Sequence, residues 1–331
     1  MRIIINENTD PFFNLASEQY LLDSDIDSAF MLWRNAPAVI IGSNQNAYAE
    51  INLDYVEKTG IKVVRRLTGG GAVFHDLGNL NYTFVTPHKE NSDIDFARFC
   101  NPVIDFLKSL GCDASLSGRN DIIVSEKKVS GSAQTVRNGK TMHHGTLLFS
   151  SDLSHIALSL NVNKDKLKAK GIKSVSSRVG NIIDFVSEKY STMDVNEFKK
   201  CLADYITSHS EFECALEPFS EREIEAIRKL ADEKYSSWEW NFGRSKSFEK
   251  VVSKRFGFGI VEISYTLDGG EISALSINGD FFGKKEITEL ASLLIGARFE
   301  REELQLVLSS ADVGEYISGA TCDVLVMLLL Q

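Results

Sequence analysis

The stretch VVRRLTGGGAVFHDLGNLNYTF (63–84) contains the strongest fold signal in this chain of 331 residues. A β-type run ends at Arg65 and Arg66, three consecutive glycines follow, and a second β-type run ends at His75. Glycines let a ligand approach main-chain N–H groups, which bind phosphate oxygens, and a neighbouring arginine offers a planar fork for phosphate or carboxylate. Because three glycines in a row cost chain entropy, the pattern predicts a ligand-binding loop rather than a plain hairpin.

The spacing of this loop differs from two common nucleotide-binding motifs. Neither GxxxxGK[ST] nor GxGxxG can be read here, since position 74 is Phe. A P-loop and a Rossmann fingerprint are therefore both unsupported.

Short β-type runs and helical patterns extend from the loop in both directions. Apolar residues at helical spacing predict helices over 13–22 and 95–110. Because strands and helices do not alternate regularly, the pattern predicts an α+β fold rather than a doubly wound parallel sheet. The predicted strands of the first half, bounded by Gly, Asn or Asp, are 2–5, 38–43, 62–66, 72–75, 80–85, 122–124 and 146–150.

The second half of the chain predicts a further, smaller domain. Ser220 and Glu223 form a capping box ahead of an apolar helical stripe, and the polar stretch 236–250 after it has no period. We place a linker at 241–250, between a domain of 1–240 and a small α+β domain of 251–331. The elements predicted in the small domain are strands over 258–266 and 271–278, a helix over 286–295 and a helix from 301.

Composition and charge narrow the class of protein. Hydrophobic residues make up 43% and charged residues 25%, which is ordinary for a globular chain. The net charge of −10 argues against bulk affinity for nucleic acid or anionic membranes. Five cysteines without CxxC spacing indicate a reducing compartment, and the first residues lack the apolar core of a signal peptide. Together these features predict a soluble cytoplasmic protein.

Three further segments carry residues suited to chemistry. In GRNDIIVSEKKVSGSAQ (118–134), alternation along a strand lets only one of Lys127 and Lys128 enter a site on one face. In MHHGTLLFS (142–150) a metal site would need a third ligand, so structural histidines are favoured. In NKDKLKAKGIKSVSSRVGN (163–181), residues 164–173 carry five lysines and one aspartate. Taken alone, each segment is explained by packing or by solvated surface charge.

In this order, the four segments resemble the lipoate–protein ligase family. RRLTGGGAVFHD matches the lipoate-site motif RR-x-x-GGG-x-V-x-H-D, and GRNDI, KVSGSA, HHGTL and KGIKSVSSRVGN follow at the spacing of the family. The resemblance covers essentially the whole chain. It implies a catalytic domain of the biotin-ligase and class II synthetase type, with mixed sheets flanked by helices, and an accessory α+β C-terminal domain.

The resemblance also implies a reaction and its partners. ATP, with Mg²⁺, and lipoate would form lipoyl-adenylate, and a lysine of an acceptor protein would then take the lipoyl group and release AMP. The implied acceptors are lipoyl domains of 2-oxoacid dehydrogenase complexes and the glycine-cleavage H protein.

Matched residue by residue, the resemblance implies roles for named side chains. Lys128 and Arg66 are the implied catalytic cations, with Lys128 between the lipoate carboxylate and the α-phosphate. Asp121 is implied as a Mg²⁺ ligand, and His144 beside the lipoyl tail. The implied ATP-binding residues are Arg66, Gly71, Ala72, Val73, Phe74, Asn79, Asp121 and Lys128. The implied lipoate-binding residues are Gly69, Gly70, Gly71, Lys128 and His144. The implied lid over the adenylate contains Lys170, Gly171, Ser174 and Arg178.

One departure from the family pattern and two alternative functions stay open. Gln134 and Thr135 stand where many bacterial members carry an arginine near the lipoyl tail, so the preference between lipoate and octanoate is open. A cysteine-dependent octanoyl or lipoyl transferase on the same fold would need an activated thiolate, and none of the five cysteines lies in the four segments. A non-catalytic lipoate- or nucleotide-binding module would not need Lys128 and Arg66.

Overall fold

The computed structural model describes residues 1–88, 95–160, 178–211, 213–243, 248 and 250–330. The chain divides into two compact units, each assembled from separate stretches. The first unit consists of Met1–Ile40, Glu50–Val64 and Val73–Ser237, and the second of Ile41–Ala49, Arg65–Ala72 and Trp238–Gln331. The glycine loop and its arginines thus belong to the second unit, whereas Lys128 belongs to the first.

The described secondary structure mixes strands and helices. The strands are β1 (Arg2–Ile5), β2 (Ala29–Trp33), β3 (Ala38–Ile41), β4 (Lys62–Arg65), β5 (Val73–His75), β6 (Asn79–Pro87), β7 (Ala114–Ser117), β8 (Asp121–Val124), β9 (Lys127–Arg137), β10 (Lys140–Leu148), β11 (Ala215–Leu216), β12 (Lys250–Phe256), β13 (Gly259–Asp268) and β14 (Glu271–Gly279). The helices are α1 (Pro11–Asp23), α2 (Ala47–Glu50), α3 (Leu53–Thr59), α4 (Ala97–Ser109), α5 (Ser154–Ser159), α6 (Val195–His209), α7 (Glu221–Leu230), α8 (Trp238–Asn241), α9 (Ile287–Leu293), α10 (Arg301–Ser309), α11 (Val313–Tyr316) and α12 (Cys322–Leu329). Among the described helices, none is both long and apolar enough to cross a membrane.

An eight-stranded sheet in the order β11-β1-β2-β6-β10-β9-β8-β7 forms the centre of the first unit. β1 pairs in parallel with β2 and β11, and the pairs from β2 to β7 are antiparallel. Helix α1 packs on the face that carries Thr83 and His144, which its Glu18 contacts. Helix α4 packs on the opposite face, where its Phe99 ring stacks on His143. A second, three-stranded sheet has the order β4-β3-β5.

The second unit builds its own core on the antiparallel sheet β12-β13-β14. Alternate residues of β13 point inward, as expected for a sheet with one buried face. Helices α9, α10 and α12 cover that face. The main buried residues of this core are Val261, Ile263, Tyr265, Ile272, Ile277, Phe281, Leu290, Leu304, Leu308, Leu325 and Leu328.

Most predicted elements occur near their predicted limits, and the α+β prediction is confirmed. Strand β2 was not predicted, because its five residues AFMLW are all buried and an unbroken apolar run has no strand period. The prediction of an aperiodic stretch over 236–250 is wrong in part, since Trp238–Asn241 form α8. That short helix is held by tertiary bonds: Trp240 Nε1 donates to the Arg65 carbonyl, and Asn241 Oδ1 accepts from the Arg65 N–H, both at 2.8 Å.

The predicted capping box of α7 is confirmed, and it also anchors the first strand. Ser220 Oγ accepts from the Glu223 N–H, and Glu223 reaches back to the Ser220 N–H at 2.7 Å. The two Glu223 oxygens accept from the Arg2 guanidinium at 2.6 and 2.9 Å. These bonds, led by the one from Arg2, lower the pKa of Glu223 to about 2.

We expect this carboxylate to stabilise the fold only above acidic pH. Because the folded pKa lies below the unfolded value of about 4.3, its stabilisation is complete above pH ~5 and is lost as the pH falls toward 2. The free energy of unfolding of Glu223→Gln should therefore lie ~2 kcal/mol below that of the unsubstituted chain at pH 6. The difference should shrink by pH 3 in urea titrations. A difference independent of pH would contradict the role of this ion pair.

Candidate active site

One face of the eight-stranded sheet carries a row of mostly polar side chains. Directly opposed residues of an antiparallel pair point to the same face. Asn81 on β6 opposes Trp33 on β2 and Thr146 on β10. Thr146 Oγ1 accepts from the Gly131 N–H at 3.2 Å, and Gly131 on β9 opposes Asp121 on β8. The row therefore runs across five strands and ends at Asp121.

Lys128 and Asp121 form an ion pair at this end of the row. Lys128 Nζ lies 2.7 Å from Asp121 Oδ1, and the two side chains are 42% and 34% exposed. A Cβ on Gly131 would lie 3.1 Å from Lys128 Nζ, so glycine leaves room for the lysine side chain. Strand alternation admits only one of Lys127 and Lys128 to this face, and Lys128, the lysine that the resemblance implied, is the one that pairs with Asp121. The pair offers a solvent-accessible cation whose position is set by a carboxylate.

Two buried amides, those of Asn79 and of Asn81 in the row itself, lie on β6. Asn79, the first residue of β6, donates from Nδ2 to Asn81 Oδ1 at 2.8 Å. Among the described residues, Asn79 Oδ1 and Asn81 Nδ2 have no hydrogen-bond partner although both are buried. Buried polar atoms are almost always paired, so one acceptor and one donor remain here for a ligand or water. The resemblance implied Asn79 as an ATP-binding residue and did not include Asn81.

The adjoining loop connects Asn79 to Phe74. Asp76 Oδ1 accepts from the Gly78 and Asn79 N–H groups at 2.9 and 3.1 Å. The buried Phe74 ring stacks on His155 at 5.3 Å, and His155 Nδ1 lies 2.8 Å from Tyr55 Oη. Val73 precedes Phe74 as the first, half-buried residue of β5. These contacts fix the main chain of the predicted nucleotide-binding residues of the first unit.

A buried carboxylate determines the orientation of His144. Glu18 Oε1 lies 2.8 Å from His144 Nδ1 and accepts from Thr83 Oγ1 at 2.6 Å. Thr83 in turn accepts from Trp33 Nε1 at 2.9 Å. Sequence reasoning predicted His144 but missed Glu18. The sequence signal for Glu18 was an acidic residue on the apolar side of α1, and its partner His144 lies 126 residues away in the chain.

The two histidines of the HH pair differ in environment. His143 is fully buried against Phe99 on the opposite face of the sheet, and burial holds its pKa well below the usual value. His143 is therefore a neutral packing residue. Among the described residues, no three His, Cys, Asp or Glu side chains converge as a metal site.

In the second unit, Arg66 shapes the glycine loop. Its Nε donates to Thr68 Oγ1 at 2.9 Å, and Nη2 donates to the Gly69 and Gly71 carbonyls at 2.7 and 2.9 Å. Gly70 has φ +91°, and a Cβ on Gly69 would lie 2.2 Å from the Phe281 carbonyl oxygen. Side chains are thus excluded from both positions, whereas Gly71 is exposed and Ala72 half-buried. Arg66 holds the loop conformation, and its phosphate contact stays a prediction.

Arg65 has a different environment from its neighbour. It is fully buried, and its guanidinium donates to the carbonyls of Gly42, Ser43, Gln45, Trp240 and Asn241. The sequence pattern placed both arginines beside a ligand loop, whereas the structure shows that Arg65 joins three stretches of the second unit. Nothing in the local sequence distinguishes the environment of Arg65 from that of Arg66.

The predicted lid residues are only partly visible. Lys170, Gly171 and Ser174 lie outside the described residues. Arg178 is described, and its carbonyl accepts from the Lys128 N–H at 2.8 Å.

Comparisons with known proteins identify the family. The family Lipoyl protein ligase A/B catalytic domain matches residues 10–207, and Bacterial lipoate protein ligase C-terminus matches residues 245–329. This chain belongs to the lipoate–protein ligase family. Lipoate-protein ligase LplJ of Bacillus subtilis is 42% identical over 325 residues, 97% of each chain. Lipoate–protein ligase 1 of Staphylococcus aureus is 40% identical over 319 residues, 96% of each chain.

Solved structures agree with this assignment. P. falciparum LipL1 in complex with lipoate covers 100% of both chains with a TM-score of 0.80 at 24% identity, which shows the shared fold. An archaeal bipartite ligase from Thermoplasma acidophilum, described with its E2 lipoyl domain, has a TM-score of 0.66 at 32% identity and covers 75% of this chain and 98% of its own. A lipoate-protein ligase A bound with ATP has a TM-score of 0.62 at 30% identity, covering 73% and 98%.

Proposed function

We propose that this enzyme activates lipoate with ATP and transfers the lipoyl group through a lipoyl-adenylate intermediate. A carboxylate oxygen of lipoate attacks the α-phosphorus of ATP, the bond to the β-phosphate oxygen breaks, and pyrophosphate leaves. An acceptor lysine amine then attacks the acyl carbon, the acyl–phosphate bond breaks, AMP leaves, and the amine loses a proton. The observation that carries this proposal is the accessible Lys128–Asp121 pair at the end of the polar row.

Lys128 suits the first step because two anions must approach each other there. A lysine ammonium is a compact charge with three donors, so it can bind a carboxylate and a phosphate at once. Asp121 holds Nζ in position through the ion pair. Preorganised charge of this kind stabilises the negative charge that develops in phosphoryl transfer.

The nucleotide and lipoate contacts are proposed from the resemblance of the motifs to those of the family. Main-chain groups of Gly71, Ala72, Val73 and Phe74, with Arg66 and Asn79, would bind ATP. His144, with Gly69 and Gly70, would border the lipoyl tail. Two solved structures at 30% identity, one bound with ATP and one with lipoic acid, support both ligands. We further propose a catalytic domain of 1–240, a linker of 241–250, a C-terminal domain of 251–331 and a lid formed by 163–181.

Mg²⁺ is proposed to arrive with the phosphates of ATP. Such ions usually bind one or two protein carboxylates and complete their shell with phosphate and water, so the single carboxylate of Asp121 fits the requirement. Bound there, Mg²⁺ would neutralise charge on the nucleotide phosphates.

The proposed acceptors are lipoyl domains of 2-oxoacid dehydrogenase complexes and the glycine-cleavage H protein. The archaeal ligase described with its E2 lipoyl domain supports the first class. A net charge of −10 gives no reason to propose nucleic acid as a partner.

Pyrophosphate exchange tests this function. Purified enzyme with ATP, Mg²⁺ and labelled pyrophosphate should form labelled ATP only when lipoate is present. An apo lipoyl domain added without pyrophosphate should then gain one lipoyl group and release AMP. Octanoate in parallel assays measures the acyl preference. Lipoyl transfer without ATP, or pyrophosphate exchange that does not depend on lipoate, would overturn the proposal.

Two of the five thiols argue against a cysteine-dependent transferase. Burial raises the pKa of Cys100, and it raises the pKa of Cys112 to about 11. A nucleophilic cysteine needs a lowered pKa and access to substrate. Both residues are instead buried.

Glu18→Ala should weaken lipoate binding selectively. Without its carboxylate partner, buried His144 loses the bond that orients its ring toward the proposed lipoyl tail. We expect the KM for lipoate to rise about 10-fold, or ~1.4 kcal/mol, with little change for ATP. Glu225→Ala, an exposed position of α7, is the control. An equal rise in the KM values for lipoate and ATP would contradict the proposal that His144 borders the lipoyl tail.

A further inference from the structure

Residues 178–181 bind both main-chain polar groups of Lys128. The Lys128 N–H donates to the Arg178 carbonyl at 2.8 Å, and the Gly180 N–H donates to the Lys128 carbonyl at 3.1 Å. Lys128 and Val179 accordingly form a parallel bridge. Strand β10 pairs with β9 only from Ser132 to Arg137. At Lys128, the short segment 178–180 therefore takes the place of a neighbouring strand.

Asn181 anchors this segment to Ser151, just after β10. Its Oδ1 accepts from the Ser151 N–H at 2.9 Å, and its Nδ2 donates to the Ser151 carbonyl at 3.0 Å. Only an amide side chain supplies a donor and an acceptor side by side for one residue of main chain. Ser151 lies just after β10, where the N–H groups of Phe149 and Ser150 donate to the Gly78 carbonyl at 3.1 and 3.0 Å. The anchor is thus itself fixed to the sheet.

We propose that Asn181 is a positioning residue for Lys128. Through Ser151 it fixes residues 178–181, and these hold the main chain of Lys128 so that the side chain meets Asp121. The inference rests on the proposed function, since Lys128 is catalytic only in that reaction. Gly180 contributes by close packing: a Cβ there would lie 2.9 Å from the Phe185 ring and 3.1 Å from Lys127 Cβ.

The expected effect follows from the geometry of the reaction. Lys128 must contact a carboxylate and a phosphate together, and a shift of about 1 Å in such a group costs up to 10²-fold in rate. Asn181→Ala removes both bonds to Ser151 and frees the segment that holds Lys128. We expect lipoate-dependent pyrophosphate exchange to fall about 10-fold to 100-fold.

Four variants of the full chain separate positioning from general destabilisation. Asn52→Ala is the matched control, because the Asn52 amide also bonds main chain, at Leu158 and Tyr55, without contacting Lys128. Its activity should stay within about twofold of the unsubstituted enzyme. In a Lys128→Ala background, Asn181→Ala should cause no further loss in single-turnover adenylate formation, since no lysine remains to be positioned. Additive losses, or an equal loss in Asn52→Ala, would overturn the inference.

Hydrogen exchange tests the same link without catalysis. Amide exchange of Lys128, whose N–H is bonded to Arg178, should accelerate in Asn181→Ala and stay unchanged in Asn52→Ala. Asn181→Asp keeps the acceptor for the Ser151 N–H and loses the donor, so it should also exchange faster than the unsubstituted chain. Unchanged exchange at Lys128 in both Asn181 variants overturns the positioning role. If the Asn181 variants alter amide exchange at Lys128 but the unsubstituted enzyme shows no lipoate-dependent pyrophosphate exchange, the proposed function is overturned instead.

Discussion

Lys128→Ala should lower the rate of lipoyl-adenylate formation by about 10²–10³, the usual effect of removing one preorganised charge donor. The loss in stability should be small. Lys128 and Asp121 are both partly exposed, and exposed ion pairs contribute ~0–1 kcal/mol to the free energy of unfolding. A large kinetic effect on a stably folded chain would therefore separate a catalytic role from a structural one.

Lys127→Ala is the matched control for this experiment. The two lysines are adjacent in β9, and the Nζ of Lys128 lies 2.7 Å from Asp121 Oδ1 on the polar face. Exchange rates, circular dichroism and urea unfolding should be measured for both variants. Lys127→Ala should keep most of the activity. Similar losses in the two variants would mean that the polar row is not where adenylate forms.

Arg65→Ala should lower the free energy of unfolding by ~3–5 kcal/mol, as expected when one partner of a buried charged network is removed. Five carbonyl groups lose their donor at once, and each buried unpaired acceptor costs ~1–3 kcal/mol before water enters. The loss should appear in the second unit, because every one of these carbonyls belongs to it.

Tryptophan fluorescence during urea unfolding can follow this change. Trp238 and Trp240 lie in the second unit, and Trp240 Nε1 donates to the Arg65 carbonyl. Arg301→Ala, at the exposed start of α10, is the control and should change stability by less than ~0.5 kcal/mol. Equal unfolding midpoints for the two variants would show that water replaces the Arg65 bonds without cost.

Local patterns in the chain were sufficient for several features of the fold. The capping box of Ser220 and Glu223 depends on residues three apart, and strand alternation limits a site on one face to one of Lys127 and Lys128 without choosing between them. Both features involve residues only one to three positions apart, so they could be predicted without knowledge of the rest of the molecule. Strand β2 could not, because a fully buried strand lacks the alternation that reveals one.

The sequence by itself determined the glycine loop, the α+β class and the order of the four segments, because each depends on neighbouring residues. Only the tertiary structure decided which polar groups meet. Arg65 bonds Asn241 across 176 residues, and Glu18 bonds His144 across 126. A hydrogen bond of this kind has no period in the chain, since its partners are brought together only when the sheet and helices pack. The contacts of Arg65, Glu18 and Asn181 are therefore properties of the packed fold rather than of any motif.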